Sequence, residues 1–134
     1  MIRRGLIWFV LAAVVALLLR QRVDVVEVRG RSMAPALLPG DRLLVARLGQ
    51  PRIGDVVLAF DPRDPRRELV KRVSGLESGR VTLRGDNRSQ STDARTFGAL
   101  PQNSVGWRVV GRYWPADRIG RVPASVLGDD LHGQ

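Results

Sequence analysis

The chain has 134 residues, enough for one compact domain, and 44% of them are hydrophobic. It contains no cysteine, which excludes disulfides, thiolate nucleophiles and cysteine-based metal sites. The one histidine, His132, lies in the terminal segment "GDDLHGQ". This placement argues against a histidine-dependent triad and against a multi-histidine metal centre, so we predict no metal and no cofactor.

The formal net charge is +9, from 22 lysines and arginines against 13 acidic residues. These cations are scattered along the chain, and only 5% of residues are aromatic. A nucleic-acid interface normally shows a basic patch in a recognisable motif, so we predict no nucleic-acid partner. Lys71 is the only lysine; every other cation is an arginine.

The N-terminal segment "MIRRGLIWFVLAAVVALLLRQR" is uncharged from Gly5 to Leu19. Fifteen residues are fewer than the roughly 20 that usually cross a bilayer, but flanking arginines can snorkel to the interface. No small-x-small cleavage site follows the segment. We therefore predict that residues 1–22 form a non-cleaved, single-pass membrane anchor in contact with lipid.

Beyond Arg22 the sequence changes to short alternating runs separated by turn-rich segments, which is typical of strands. We predict a mainly β fold for residues 23–122, a small antiparallel β-barrel or a curled sheet, and a C-terminal tail at 123–134. The runs predicted as strands are "VDVVEVR" (23–29), "RLLVARL" (42–48), "DVVLAF" (55–60), "ELVKRV" (68–73), "RVTLR" (80–84) and "WRVVGRYW" (107–114).

Ser32 lies in "GRSMAPALLPGD", a loop between the first two predicted strands that Gly30 and Pro35 shape. A serine hydroxyl is a poor nucleophile at neutral pH unless a base takes its proton. The position of His132 makes histidine an improbable base, so another side chain is needed. Taken alone, Ser32 is more typical of a turn serine that bonds to its own backbone than of a nucleophile.

Lys71 is the remaining candidate base, because a lysine can be desolvated to a neutral amine whereas arginine stays protonated. Lowering a lysine pKa from about 10.4 to near 7 needs roughly 4 to 5 kcal/mol, which burial in an apolar site can supply. Val70 and Val73 flank Lys71 on a predicted strand. The alternative is an ordinary solvated strand lysine. Ser-Lys pairs are a known variant of the catalytic triad.

Three segments, "SMAPALLPGD", "VKRVSG" and "RGDNRSQSTDARTFG", resemble the motifs of type I signal peptidases in order and in separation. These enzymes are Ser-Lys membrane proteases, and the similarity covers roughly residues 25–115. The short chain and its closing "VVGRYWPADRIGRV" are most similar to the small members that mature nickel-containing superoxide dismutase.

The resemblance implies that Ser32 is the nucleophile, Lys71 the general base, and Ser91 the hydroxyl that orients the lysine amine. It implies a precursor protein with an N-terminal leader as substrate, bound as an extended strand with small side chains at the cleavage site. It also implies a structural network around the third motif, formed by Asp86, Asp93 and Arg95.

The sequence departs from the family pattern at three places. Ala36 replaces a threonine whose hydroxyl supports the serine loop. Gly30 stands where some members have a serine that helps the oxyanion hole, so oxyanion stabilisation would depend mainly on the Ser32 backbone N–H. The usual "GLPGD" after the lysine motif is replaced by "GLESG" at 75–79, which leaves substrate-side packing open.

Three other functions stay open. The first is a general signal peptidase that cleaves secretory signal peptides. The second is a self-cleaving LexA-like protease, which would need an Ala-Gly or Cys-Gly target that the sequence lacks. The third is a non-enzymatic, membrane-tethered β-domain that binds acidic partners through its arginines.

The side of the membrane that carries the catalytic domain is also open. Signal peptidases keep this domain outside the cytoplasm, whereas the flanking arginines favour a cytoplasmic domain. More of them follow the apolar segment than precede it: Arg20, Arg22, Arg29 and Arg31 against Arg3 and Arg4. The oligomeric state is not indicated by the sequence.

Overall fold

The computed structural model describes residues 2–47, 49–87 and 98–123. Among these residues, an N-terminal helix, α1 (Ile2–Arg22), precedes a seven-stranded sheet, and short 3-10 helices lie at Gln102–Ser104 and Ala116–Arg118. The strands are β1 (Val23–Glu27), β2 (Arg42–Ala46), β3 (Val56–Asp61), β4 (Asp64–Glu77), β5 (Arg80–Arg84), β6 (Leu100–Pro101) and β7 (Trp107–Trp114).

Helix α1 has 21 residues, which at 1.5 Å per residue gives a length of about 31 Å. Its side chains from Arg3 to Arg22 are exposed, and apolar residues occupy all of its faces between the terminal arginines. By length and composition, Arg3–Arg22 is sufficient to cross a membrane. Arg20 and Arg22 in its last turn also complement the negative end of the helix dipole.

The strands form one open sheet in the order β1-β2-β7-β3-β4-β5-β6, and every pairing in it is antiparallel. The prediction of a mainly β, antiparallel domain behind one apolar helix is confirmed. In the described part of the chain, β1 and β6 are the two edges, so the sheet is not a closed barrel. The predicted C-terminal tail lies outside the described residues from position 124 onward.

Strand β4 is longer than the predicted 68–73, because both of its neighbours continue the pairing. It follows β3 out to the Asp61↔Asp64 pair and β5 out to the Glu77↔Arg80 pair. The segment "GLESG" therefore belongs to the β4–β5 hairpin. Ser78 and Gly79, with φ of 51° and 75°, form its two-residue turn, as hairpin turns with two positive φ values require.

Two apolar clusters form the core. One lies mainly between β3, β4 and β5, where Val57, Val73 and Leu83 are almost completely buried. The other includes Met33 and Leu37 from the loop that follows β1, and these two side chains are 1% and 0% exposed. Burying a side chain of this size contributes roughly 1.5 to 3 kcal/mol. The loop that carries Ser32 is therefore held by the core.

Candidate active site

A groove with a volume of about 750 Å³ separates two segments of the domain. One wall is residues 25–33, which include the end of β1 and the start of the following loop. The other wall is residues 66–71 of β4. Ser32 lies on the first wall and Lys71 on the second, so the structure brings the predicted nucleophile and the predicted base to one groove.

Ser32 is half-buried, and its backbone is fixed on both sides. Its carbonyl oxygen accepts a hydrogen bond from the Asn87 N–H at 2.7 Å. The next residue, Met33, is buried in the core, and the Leu37 N–H donates to the Met33 carbonyl oxygen at 2.9 Å. These contacts hold the serine at a defined position on the groove wall.

The far end of the serine loop is fixed by Asp41, which is 2% exposed. Its carboxylate accepts hydrogen bonds from the Leu38 N–H at 2.9 Å and from the guanidinium groups of Arg112 and Arg118 at 3.1 and 2.9 Å. Arg112 also donates to the carbonyl oxygen of Ala36 at 2.9 Å. This loop is thus supported by Arg112 at the position where Ala36 lacks the family's threonine hydroxyl. Sequence reasoning assigned no role to Asp41 or Arg112.

Lys71 lies in the middle of β4, opposite Val57 of β3, and is 2% exposed. Because side chains alternate along a strand, it shares a face with Leu69 and Val73, which are both buried. The alternative of a solvated strand lysine therefore does not hold.

Arg72, the residue after Lys71, connects the lysine strand to the third motif. Its guanidinium donates to both carboxylate oxygens of Asp86, at 3.0 and 2.9 Å, and to the carbonyl oxygens of Gly54 and Pro123. Asp86 precedes the residue that binds the Ser32 carbonyl, so one contact chain joins Lys71, the third motif and Ser32. Ser91, Asp93 and Arg95 lie outside the described residues. Sequence reasoning placed Asp86 in such a network but missed Arg72.

Among the described residues, no group of three or more histidine, cysteine or acidic side chains could hold a metal ion. The groove is lined by one residue with a hydroxyl group, Ser32, and one with an amine, Lys71. An arrangement of this kind suits acyl transfer, in which the amine takes the proton of the attacking hydroxyl.

Comparison with known proteins identifies the family to which the chain belongs. Residues 1–85 match the family described as "Signal peptidase, peptidase S26". The mitochondrial ATP-independent inner membrane protease subunit 1a of Arabidopsis thaliana is 34% identical over 128 residues, covering 75% of this chain and 76% of that protein. Subunit 1 of the human mitochondrial inner membrane protease is 31% identical, covering 78% and 77%.

Subunit 2 of the mitochondrial inner membrane protease of Danio rerio is 28% identical, with coverage of 91% of this chain and 81% of the relative. These relatives are inner membrane proteases, and none of the three is a maturation protease of superoxide dismutase. The family match covers well over half of the chain and includes both groove walls. The chain therefore belongs to the signal peptidase family, peptidase S26.

Proposed function

We propose that this protein is a membrane-tethered serine endopeptidase that removes an N-terminal leader from a precursor protein. The observation that carries the proposal is the placement of half-buried Ser32 and buried Lys71 on opposite walls of one groove. Its curated relatives, which bear the name of inner membrane proteases, support the same class of activity.

In the proposed reaction, neutral Lys71 removes the proton of the Ser32 hydroxyl while the oxygen attacks the scissile carbonyl. The backbone N–H of Ser32 stabilises the oxyanion. The Lys71 ammonium then protonates the leaving amine, which leaves an acyl-enzyme on Ser32. Lys71, neutral again, activates a water molecule that releases the leader.

Ser91 completes the proposed site as a positioning residue. A lysine side chain rotates about four bonds, so an acceptor must hold its amine toward the nucleophile. We assign this role to the Ser91 hydroxyl on the strength of its place in the third motif. Ser91→Ala should lower kcat while leaving KM within about twofold, because a positioning residue acts on the base rather than on substrate binding.

The substrate would bind as an added strand. Strand β1 pairs only with β2, and β4 pairs with β5 only from Arg72 to Glu77. Among the described residues, the earlier half of β4 and the outer side of β1 therefore have no further strand partner, and both segments line the groove. An extended peptide can pair with such edges, which supports a leader bound in extended form.

The catalytic assignment is tested by three single substitutions in the full chain, purified in detergent. Ser32→Ala, Lys71→Ala and Lys71→Arg should each reduce turnover of a cleavable precursor by about a thousandfold or more, as losing the nucleophile or base does in serine proteases. Lys71→Arg is the sharpest of these, because it retains the positive charge but, unlike lysine, a guanidinium stays protonated and cannot act as a general base. Retained turnover in Lys71→Arg, with an unchanged thermal midpoint as the folding control, would exclude the lysine mechanism.

For the substrate, we propose the nickel superoxide dismutase precursor, on the resemblance of the closing "VVGRYWPADRIGRV" to the small maturation proteases. Incubation of the full chain with this precursor should give one new N-terminus, read by mass spectrometry and lost in Ser32→Ala. A secretory precursor with a signal peptide is the matched alternative. Cleavage of the secretory precursor alone would assign the chain to general signal peptidase activity, and cleavage of neither would favour the non-enzymatic β-domain.

These two substrates also require the catalytic domain to lie on opposite sides of the membrane. Because the chain has no cysteine, Ile53→Cys gives a single reporter, on a side chain 65% exposed and away from the groove. A cytoplasmic precursor requires a cytoplasmic catalytic domain, and the excess of arginines after α1 favours the same side. In that case a membrane-impermeant maleimide should label this cysteine only after cell lysis. Labelling of intact cells would place the catalytic domain outside and support the secretory substrate.

A further inference from the structure

The groove carries four exposed arginines beside the proposed catalytic pair. Arg29 and Arg31 lie on the serine wall, and Arg66 and Arg67 lie on the lysine wall. The acidic residues of the lining are Glu27 and Glu68, so cations outnumber carboxylates on the groove surface. An extended peptide in the groove would therefore meet a net positive field.

These arginines have no internal role of the kind seen elsewhere in the domain. Buried Arg72 and Arg112 form ion pairs with Asp86 and Asp41. Within residues 2–47, 49–87 and 98–123, the guanidinium groups of the four groove arginines form no ion pair and no hydrogen bond. The backbone N–H of Arg66 donates to the Asp64 carboxylate at 3.2 Å, and the charge of Arg67 helps to lower the pKa of Asp61. Their guanidinium groups are thus available to a ligand, and guanidinium groups bind carboxylates in bidentate geometry.

The topology places these cations along the path that a substrate would take. Four antiparallel pairings separate β1 from β4, so the two strands run in the same direction, and both lead toward the catalytic residues. At about 3.3 Å per residue, the distance from Arg66 to Lys71 is roughly 17 Å. The four arginines therefore lie within about five residues of the scissile bond in an extended peptide.

We propose that Arg29, Arg31, Arg66 and Arg67 are specificity-determining residues that select precursors with acidic side chains within about five residues of the cleavage site. The inference rests on the peptidase function proposed above and names its substrate class. Glu27 and Glu68 add to this selection, because they repel acidic substrate side chains next to them and attract basic ones. Each well-placed carboxylate should change the rate or affinity by roughly twofold to fivefold, as exposed ion pairs do.

The cleavage test uses the full chain in detergent with an equimolar library of decapeptides that carry Asp, Asn or Lys in turn at each position. Mass spectrometry of the products should show Asp favoured over Asn, and Asn over Lys, on at least one side of the scissile bond. The preference should weaken when NaCl is raised from 50 to 500 mM, because salt screens exposed charges. Equal cleavage of the three series would overturn the inference while leaving the peptidase function intact.

The binding test separates the two claims if no peptide is cleaved. Fluorescence anisotropy measures the binding of an Asp-rich decapeptide and its Asn twin to the Ser32→Ala protein. The Asp peptide should bind more tightly, and Arg66→Glu/Arg67→Glu should remove or reverse the difference. Arg52→Glu/Arg84→Glu, which changes two exposed arginines outside the groove lining, is the matched control and should retain it. Equal binding of the two peptides would contradict the inference whatever the enzymatic result.

Discussion

At Gly30, two positions before the proposed nucleophile, an added side chain would meet no atom within 4 Å, and the backbone is outside the region that favours glycine. The position lines the groove, and some family members have a serine there. In the reaction proposed above, a hydroxyl at this position would have the space to act as a second oxyanion donor beside the Ser32 N–H.

We predict that Gly30→Ser raises kcat by about tenfold, since one oxyanion donor is worth up to roughly 3 kcal/mol in the transition state. Gly30→Ala, which fills the same space without a hydroxyl, is the control and should leave kcat within about twofold. The measurement is single-turnover cleavage of a precursor by the full chain. Equal rates for the two variants would show that position 30 does not face the oxyanion.

Asp61, at the β3–β4 hairpin, is an acidic residue whose titration the fold perturbs. The Arg63 guanidinium donates to both of its carboxylate oxygens at 3.1 Å, and the Arg63 N–H donates to one of them at 2.9 Å. These hydrogen bonds lower the pKa of Asp61 below its ordinary value of 3.8. Because the folded-state pKa is the lower one, the interaction stabilises the fold above pH 3.8 and is lost as the pH falls through the folded-state value.

Arg63→Ala should therefore lower the thermal midpoint at neutral pH, and the difference from wild type should shrink as the pH falls below 3.8. Thermal unfolding followed by circular dichroism between pH 2 and 7 measures this. Arg84→Ala, at an exposed arginine on β5, is the control and should give a pH-independent difference. A difference for Arg63→Ala that stays constant through this range would contradict the assignment.

Among the structural elements, the loop from Val28 to Asp41 is fixed at its end by the buried Asp41 carboxylate, which forms ion pairs with Arg112 and Arg118. Asp41 and Arg112 are 2% and 8% exposed, whereas the side chains of the Asp55–Arg108 pair on the same sheet are 23% and 28% exposed. Breaking a buried pair leaves a charge without compensation and costs about 3 to 5 kcal/mol, while an exposed pair contributes about 0 to 1 kcal/mol.

Asp41→Asn should accordingly lower the free energy of unfolding by about 3 to 5 kcal/mol and reduce cleavage, because the serine loop loses its fixed end. Asp55→Asn, the matched control, should cost about 1 kcal/mol or less. Urea unfolding of both variants measures the difference. Similar values for the two substitutions would show that burial does not set the strength of the Asp41 pair.

Comparing the predicted strands and residues with the structure shows what the sequence could and could not predict. Strands β5 and β7 have the predicted ends, because their alternating runs stop at clear turn residues. The extension of β4 and the two-residue β6 come from pairing with neighbours, which no local pattern contains. Ser32 and Lys71 were predicted from residue chemistry and motif order; the structure places both on the groove, and their catalytic roles stay a prediction. Arg72 and Arg112 were missed because an arginine in an arginine-rich chain carries no local sign of burial.

For the whole molecule, the main feature is the direct passage from α1 into β1. Helix α1 ends at Arg22 and β1 begins at Val23, and the Arg47 N–H donates to the Arg22 carbonyl oxygen at 2.9 Å, which ties the junction to the sheet.

We predict that a six-residue Gly-Ser insertion after Arg22 slows cleavage of a membrane-bound precursor severalfold and leaves cleavage of a soluble decapeptide unchanged. Liposome-reconstituted protein allows both rates to be measured, and equal effects on the two substrates would argue against a positional role for the junction.

This junction limits the distance between the membrane helix and the proposed nucleophile. Ser32 follows Arg22 by ten positions, so even a fully extended connection places Ser32 no more than about 36 Å from the end of the helix. In the function proposed above, with α1 embedded in a bilayer, the groove would reach only peptide bonds in a thin layer next to the lipid. A precursor whose scissile bond lies beyond that layer would not be cleaved, even if its sequence fitted the groove. Distance from the membrane would therefore select substrates before any side chain contacts the groove.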